Sequence, residues 1–208
     1  MKLKDSSLQH LIEDIKRFSG IQRKKPIGKI VRALSKKERL YKDVLLSFGE
    51  DAAAIKFGNS ENVLLFHTDG MQQEFLDSDP RSAGFFAVLV NIKDILAMGG
   101  EPLAMVNVIA YKTTETYERI IEGIKRGVEK FAVPMVGGHI HPFSPSNSLS
   151  ISIVGKVRRE HIMTSEGTKA GEKIIMAIDL KGRITPTWKW GWDTTTMKSR
   201  EEIARQFT

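Results

Sequence analysis

The segment Ala83–Met98 is apolar on nearly every side of a helix, with Phe85, Phe86, Val88, Leu89, Val90, Ile92, Ile95 and Leu96 distributed around it. A helix of that kind must be covered on most of its surface, so the rest of the chain has to supply layers around it. Its limits are written locally. Asp79 is placed to cap the first turn, Pro80 suits the first helical position, and Gly99-Gly100 ends the run. At 16 residues the segment falls short of the ~18–20 that a membrane helix needs, and no longer apolar run exists in the sequence.

The covering elements follow from periodicity. Leu8, Leu11, Ile12, Ile15 and Phe18 have helical spacing after Ser6-Ser7, and Gly20 is a stop. A second short helix is expected over Ile27, Ile30, Val31 and Leu34. Ala52–Phe57 and Asn62–Thr68 read as strands joined by Gly58-Asn59-Ser60. Leu103–Ala110 is a β-type run, and Thr114–Phe131 is an amphipathic helix. Val133–Val136 is a short apolar strand followed by Gly137-Gly138. Leu149, Ile151 and Ile153 alternate with serines, as in a strand with one wet face. Lys173–Asp179 reads as a last strand. The order is α, α, β, β, α, β, α, β, β, β. It describes an α/β protein of the α+β type, with a mixed sheet and helices on one face. The expected organisation is a basic helical arm over residues 1–42, a main domain over 43–168, and the start of an incomplete C-terminal domain over 169–208.

Charge supports the first of these divisions. The chain of 208 residues has a formal charge of +7. Residues 1–42 hold 13 basic and 4 acidic residues, whereas residues 43–208 hold 19 and 21. A protein that coats nucleic acid spreads its positive charge more widely, so no nucleic-acid partner is expected. There is no cysteine, which excludes a disulfide scaffold and thiolate zinc sites. The charged start Met1-Lys2-Leu3-Lys4-Asp5 has no apolar segment behind it, so no signal peptide is read and a cytoplasmic, membrane-free protein is expected.

The common phosphate motifs are missing. There is no G-x-x-x-x-G-K-[ST] and no G-x-G-x-x-G, nor is there a G-x-S-x-G or H-E-x-x-H. What remains is a set of carboxylates beside small residues. Gly49-Glu50-Asp51-Ala52-Ala53 stands at the start of one strand, and Thr68-Asp69-Gly70 at the end of the next. If the two strands form a hairpin, Asp51 and Asp69 lie at the same end of it. Carboxylates that converge need a cation, and an all-oxygen ligand set suits Mg²⁺. Asp94 lies three residues after Asn91 in the apolar helix, and a charge there needs a partner. Each feature also has a plainer reading. The first two are common turns, and Asp94 could pair with Lys93 or Arg81 or face solvent. His139 and His141 alternate after Gly137-Gly138, so they share a side of an extended segment. They could reach one ligand or simply be solvated. Lys24, Lys25, Lys29 and Arg32 could clamp phosphates or form a wet helix face. Trp188, Trp190 and Trp192 share a face, suited to local packing or to a partner surface.

Taken in order, these motifs resemble a known family. Gly49-Glu50-Asp51-Ala52-Ala53 looks like its G-[DE]-D-A-A signature. Thr68-Asp69-Gly70 and Asp79-Pro80 follow, then Ala83-Gly84. The block from Ala87 through Asn91, Asp94, Ala97-Met98-Gly99-Gly100 to Pro102 is close to its long helix motif. Gly137-Gly138 and the alternating strand ending at Gly155 complete the series. The chain thus resembles the N-terminal domain of the AIR synthase (PurM)-like superfamily, closest to its AIR synthase-related branch. Relatives include thiamine-monophosphate kinase, selenide water dikinase and HypE.

The resemblance implies a homodimer whose sheets pair into a barrel, and ATP bound through Mg²⁺. It implies Asp51, Asp69 and Asp94 as metal ligands. Cofactor contacts would come from Lys24, Lys25, Lys29, Gly49, Thr68 and Asn91. A small-molecule substrate would meet Gly137, Gly138, His139 and His141, with His139 standing where several relatives have an acidic or amide residue. The implied chemistry is ATP-dependent phosphoryl transfer or substrate activation, completed by a second domain. The alternative is a non-catalytic dimerisation and nucleotide-binding module that acts with a separate C-terminal chain.

Overall fold

The structure is a computed structural model that describes residues 5–22, 24–34 and 42–176. The chain divides into two units, Met1–Val44 and Leu45–Thr208, which are described separately.

The described residues of the first unit form α1 (Asp5–Arg17), the single turn α2 (Ser19–Gln22) and α3 (Ile27–Leu34). The helical periodicity is as expected, although Gly20 lies within α2 rather than ending α1. The apolar stripe of α1 is exposed, with Leu11 53% and Ile15 50% accessible. Lys24, Lys25 and Lys29 are exposed in the same unit.

The second unit is a six-stranded sheet with helices on it. The strands are β1 (Val44–Leu46), β2 (Ala53–Lys56), β3 (Asn62–Gly70), β4 (Glu101–Ala110), β5 (Met135–His141) and β6 (Ser148–Arg158), in the order β1-β2-β3-β6-β4-β5. The helices are α4 (Gln73–Ser78), α5 (Pro80–Ala97) and α6 (Thr114–Phe131). β2 and β3 form the expected hairpin, with Ala53 opposite Phe66. β6 runs antiparallel to both β3 and β4, while β5 runs parallel to β4 across the α6 crossover.

Several boundaries differ from the sequence reading. β5 begins two residues later than expected and continues through Gly137-Gly138 to His141. Glycine lacks strand propensity, but pairing to β4 overrides it. β1 and α4 are too short to show a period. In the expected final strand, residues 173–176 form no regular structure. The remainder of that segment and the three tryptophans lie outside the described residues.

α5 is covered as its composition demands. Asp79 accepts a hydrogen bond from Ser82 N at 3.1 Å and Pro80 follows it, as read from the sequence. One side of α5 lies on β3, β4 and β6, and another meets α6. Ala87, Val88 and Ile95 have no accessible surface, and they join Leu65, Met105, Ile120, Ile151 and Ile153 in the core. The two helices approach closely through glycines. A Cβ at Gly123 would lie 2.0 Å from the Arg81 carbonyl oxygen, and one at Gly84 would lie 2.3 Å from that of Ile120.

The loop before β6 is braced to α4. Asn147, 5% exposed, donates to Asp77 at 2.7 Å and accepts from Lys112 N at 2.8 Å. Hydrogen bonds from Gln73 and Asn147 hold the Asp77 carboxyl below its ordinary value.

Among the described residues of this unit, no helix covers the opposite face of the sheet. Phe66, Val106 and Val108 point to that side and are 51%, 43% and 45% exposed.

Gly123→Ala is expected to destabilise the protein by about 1–3 kcal/mol, because overpacking outweighs alanine's helix propensity. Gly137→Ala, whose Cβ would find only Val106 at 3.8 Å, serves as the control. Equal melting temperatures for the two variants would contradict the close helix contact.

Candidate metal and nucleotide site

β3 and α5 build the site between them. Strand alternation sends His67 and Asp69 to the helix side of the sheet, the side of their partners Ile153 and Ile151. α5 runs over β3 in the opposite sense, so Asn91 meets Asp69 and Asp94 meets His67. One ligand atom from each of His67, Asp69 and Asp94 lies within 4.8 Å of the others.

Asn91 fixes this meeting. It has no accessible surface. Its Oδ1 accepts from Asp69 N at 3.2 Å, and its Nδ2 donates to Ala87 O at 2.8 Å. Both ends of the amide are satisfied, so Asn91 stands behind the carboxylates. Gly70 N donates to Asp69 Oδ1 at 2.8 Å, which orients the carboxylate further.

Asp94 does not pair with Arg81, which binds Glu122 at 2.7 Å instead. Its carboxylate lies 2.9 Å from His67 Nε2, with side chains 21% and 16% exposed. Burial, and then Asp51 and Asp69, push the Asp94 carboxyl above its ordinary value, against the opposing influence of His67 and Lys93. Asp51 is therefore close enough to act on Asp94. It sits in the turn before β2, where Gly49 adopts φ +116°, a conformation that favours glycine. Ala52 N lies 3.4 Å from Met98 Sδ, which ties this turn to the end of α5.

Two carboxylates and an imidazole around one point, with the charge of Asp51 felt at Asp94, fit a divalent cation. Such a cation would neutralise a cluster whose own charges oppose ionisation of Asp94. His67 is absent from the sequence reading above. The available signal was its spacing of two from Asp69 within a strand, which puts both on one face.

The remaining expected residues lie elsewhere. Thr68 points to the open face, donates to Ile151 O at 3.0 Å and accepts from Ser152 Oγ at 3.0 Å. Gly137, Gly138, His139 and His141 occupy β5, three strand positions from β3. That is about 14 Å at ordinary strand spacing. His139 and His141 stack edge to face with ring centres 4.5 Å apart, on the open side with Val108. The acidic cluster and the histidine pair are thus separate features on opposite faces. Lys24, Lys25 and Lys29 belong to the other unit.

Residues 49–157 match the family described as AIR synthase related protein, N-terminal domain. The chain is 41% identical over 201 residues to an uncharacterised protein of Methanocaldococcus jannaschii, covering 96% of this chain and 62% of that protein. It is 37% identical over 150 residues to thiamine-monophosphate kinase of Archaeoglobus fulgidus, covering 70% of this chain and 49% of the kinase. The solved structure of AaThiL complexed with AMPPCP and TMP superposes with a TM-score of 0.54 at 26% identity, over 65% of this chain and 43% of that one. The chain thus spans half to three fifths of the length of these curated relatives. The motif order, the mixed sheet under α5 and these likenesses agree: the chain belongs to the AIR synthase-related family, whose N-terminal domain it carries at residues 49–157.

Proposed function

We propose that this chain binds ATP through Mg²⁺ and supplies the nucleotide-binding part of an enzyme that transfers a phosphoryl group to, or activates, a small-molecule substrate. The observation that carries this reading is the cluster of Asp69 and Asp94, with Asp51 acting on the same centre. The likeness to a kinase, and to AaThiL complexed with AMPPCP, supports the nucleotide.

In this reading Asp51, Asp69 and Asp94 hold the cation. A bound Mg²⁺ supplies charge neutralisation for the phosphates and electrostatic stabilisation of the transferring group. Asn91 serves by holding the Asp69 backbone, and Gly49 by shaping the turn that carries Asp51. Lys24, Lys25 and Lys29 are assigned to the phosphates, where a flexible ammonium acts as a point charge. Gly137, Gly138, His139 and His141 are assigned to the substrate.

Titration calorimetry with ATP and Mg²⁺ tests the reading. Wild type is expected to bind ATP only with the cation, and Asp69→Asn to weaken that binding by at least about tenfold. ATP binding that ignores Mg²⁺, or no binding at all, would sink the proposal.

A second expectation concerns stability. Asp94 is partly buried among like charges, so neutralising it relieves repulsion. Without divalent ions, Asp94→Asn is expected to raise Tm by about 2–4 °C. Mg²⁺ should raise the Tm of wild type and leave that of the variant unchanged. A variant that still responds to Mg²⁺ would remove Asp94 from the ligand set.

We also propose a homodimer formed through the open sheet face. Contiguous exposed apolar surface of this kind marks interaction sites, and Phe66, Val106 and Val108 supply it. Light scattering should give a dimer mass for wild type and a monomer mass for Phe66→Asp. A monomeric wild type at tens of micromolar would contradict the assignment.

A further inference from the structure

We propose that His67 is a direct nitrogen ligand of the ion held by Asp69 and Asp94, so that the site prefers a divalent transition ion of the Mn²⁺, Co²⁺ or Zn²⁺ class over Mg²⁺; this rests on the reading of the cluster as a cation site.

The first observation is an unused donor. His67 Nε2 has no exposed surface and makes no hydrogen bond, although it lies 2.9 Å from an Asp94 carboxylate oxygen. A histidine placed only to steady Asp94 would align an N–H with that oxygen, since buried polar atoms are ordinarily hydrogen-bonded. Here the nitrogen and the oxygen lie 2.9 Å apart without an aligned N–H between them, within a cluster that also includes Asp69.

The second observation is the spacing. Nitrogen and oxygen ligands lie about 2.1 Å from Zn²⁺ or Mg²⁺. Two such bonds at a right angle separate their donor atoms by about 3.0 Å, and two opposed bonds by about 4.2 Å. The 2.9 Å contact matches two adjacent ligands of one coordination sphere, and the cluster, whose ligand atoms all lie within 4.8 Å of one another, is close to the size of that sphere.

The third argument is donor chemistry. Carboxylate oxygens suit Mg²⁺, whereas imidazole nitrogen suits Zn²⁺, Fe²⁺ and Ni²⁺, and Co²⁺ stands between the last two in the affinity order of the divalent ions. One imidazole among two or three carboxylates therefore tilts the choice of ion without abolishing binding of the hard one. Strand β3 provides the tilt by placing His67 two residues before Asp69, on the same face of the strand. His67 is then a specificity-determining residue, and Asp51, Asp69 and Asp94 remain the common framework for either ion.

The test compares the metal-stripped full chain with His67→Asn and His67→Ala, each checked for folding by circular dichroism. Affinities for Co²⁺ and Mg²⁺ are measured by calorimetry. Pulsed EPR of bound Mn²⁺ reports any directly coordinated nitrogen in the wild type itself. The His139–His141 pair is common to all three proteins, so only the difference that depends on His67 is read. Removing His67 is expected to weaken Co²⁺ by at least about tenfold and Mg²⁺ by much less, since even an outer partner's loss brings ten- to hundredfold effects. The nitrogen coupling to Mn²⁺ should be present in wild type and absent from both variants. Equal losses for the two ions would make His67 a positioning residue and overturn the proposal. So would an unchanged Co²⁺ to Mg²⁺ ratio, or a wild-type spectrum without nitrogen coupling. In each of those cases Mg²⁺ binding by wild type leaves the cation site standing. If wild type binds none of these ions, the cation site fails together with the proposal about His67. If the variants do not fold, the wild-type spectrum decides.

Discussion

The hydrogen bond from Asp69 N to Asn91 Oδ1 joins the two halves of the molecule's chemistry. Asn91 is the polar residue that α5 buries completely, and it uses both ends of its amide. An unsatisfied amide in that position would cost about 1–3 kcal/mol, so β3 and α5 are held in one register. That register aligns Asp94 with His67 and sets the helix end against the turn that carries Asp51. The apolar sides of α5 provide the cohesion, and Asn91 decides which strand residue faces which helix residue. Close contact with α6 through Gly84 and Gly123 keeps the helix from shifting.

The site itself works against stability. Burial and neighbouring carboxylates disfavour the ionised form of Asp94, and His67 brings a polar nitrogen that makes no hydrogen bond. Unfavourable burial of charge of this kind accumulates where a ligand is to be held. The surrounding core tolerates it because Leu65, Ile95, Ile151 and Ile153 are fully or almost fully buried beside the site.

Much of the fold could be read directly from the residues. α5 and α6 were legible because long helices repeat their period several times, and Asp79-Pro80 marked the start of α5. The β2–β3 hairpin was legible from its turn. β1 and α4 were not, because neither is long enough to show a period. β5 was cut short because Gly137-Gly138 reads locally as a break, although pairing to β4 carries the strand on. Among the candidate site residues, the carboxylates stood out through their small neighbours and their order along the chain. His67 was hidden because its role needs α5 to lie over β3 in a particular sense, a tertiary relation that no local pattern encodes. The same limit applies to His139 and His141. Their shared side of the strand was legible, but their separation from the acidic cluster depends on strand order, which places β6 and β4 between them.

The position of β6 has a consequence for how the protein is made. It is the last of the six strands among the described residues, yet it lies inside the sheet, between β3 and β4. The β2–β3 hairpin and the β4–α6–β5 unit can each form locally during synthesis, but nothing joins them edge to edge until Arg158 has left the ribosome. Until then both inner edges present unpaired backbone groups. Pairing over such long sequence separations is slow because loop closure precedes the gain from contacts. The growing chain must therefore keep two open strand edges apart until β6 arrives between them.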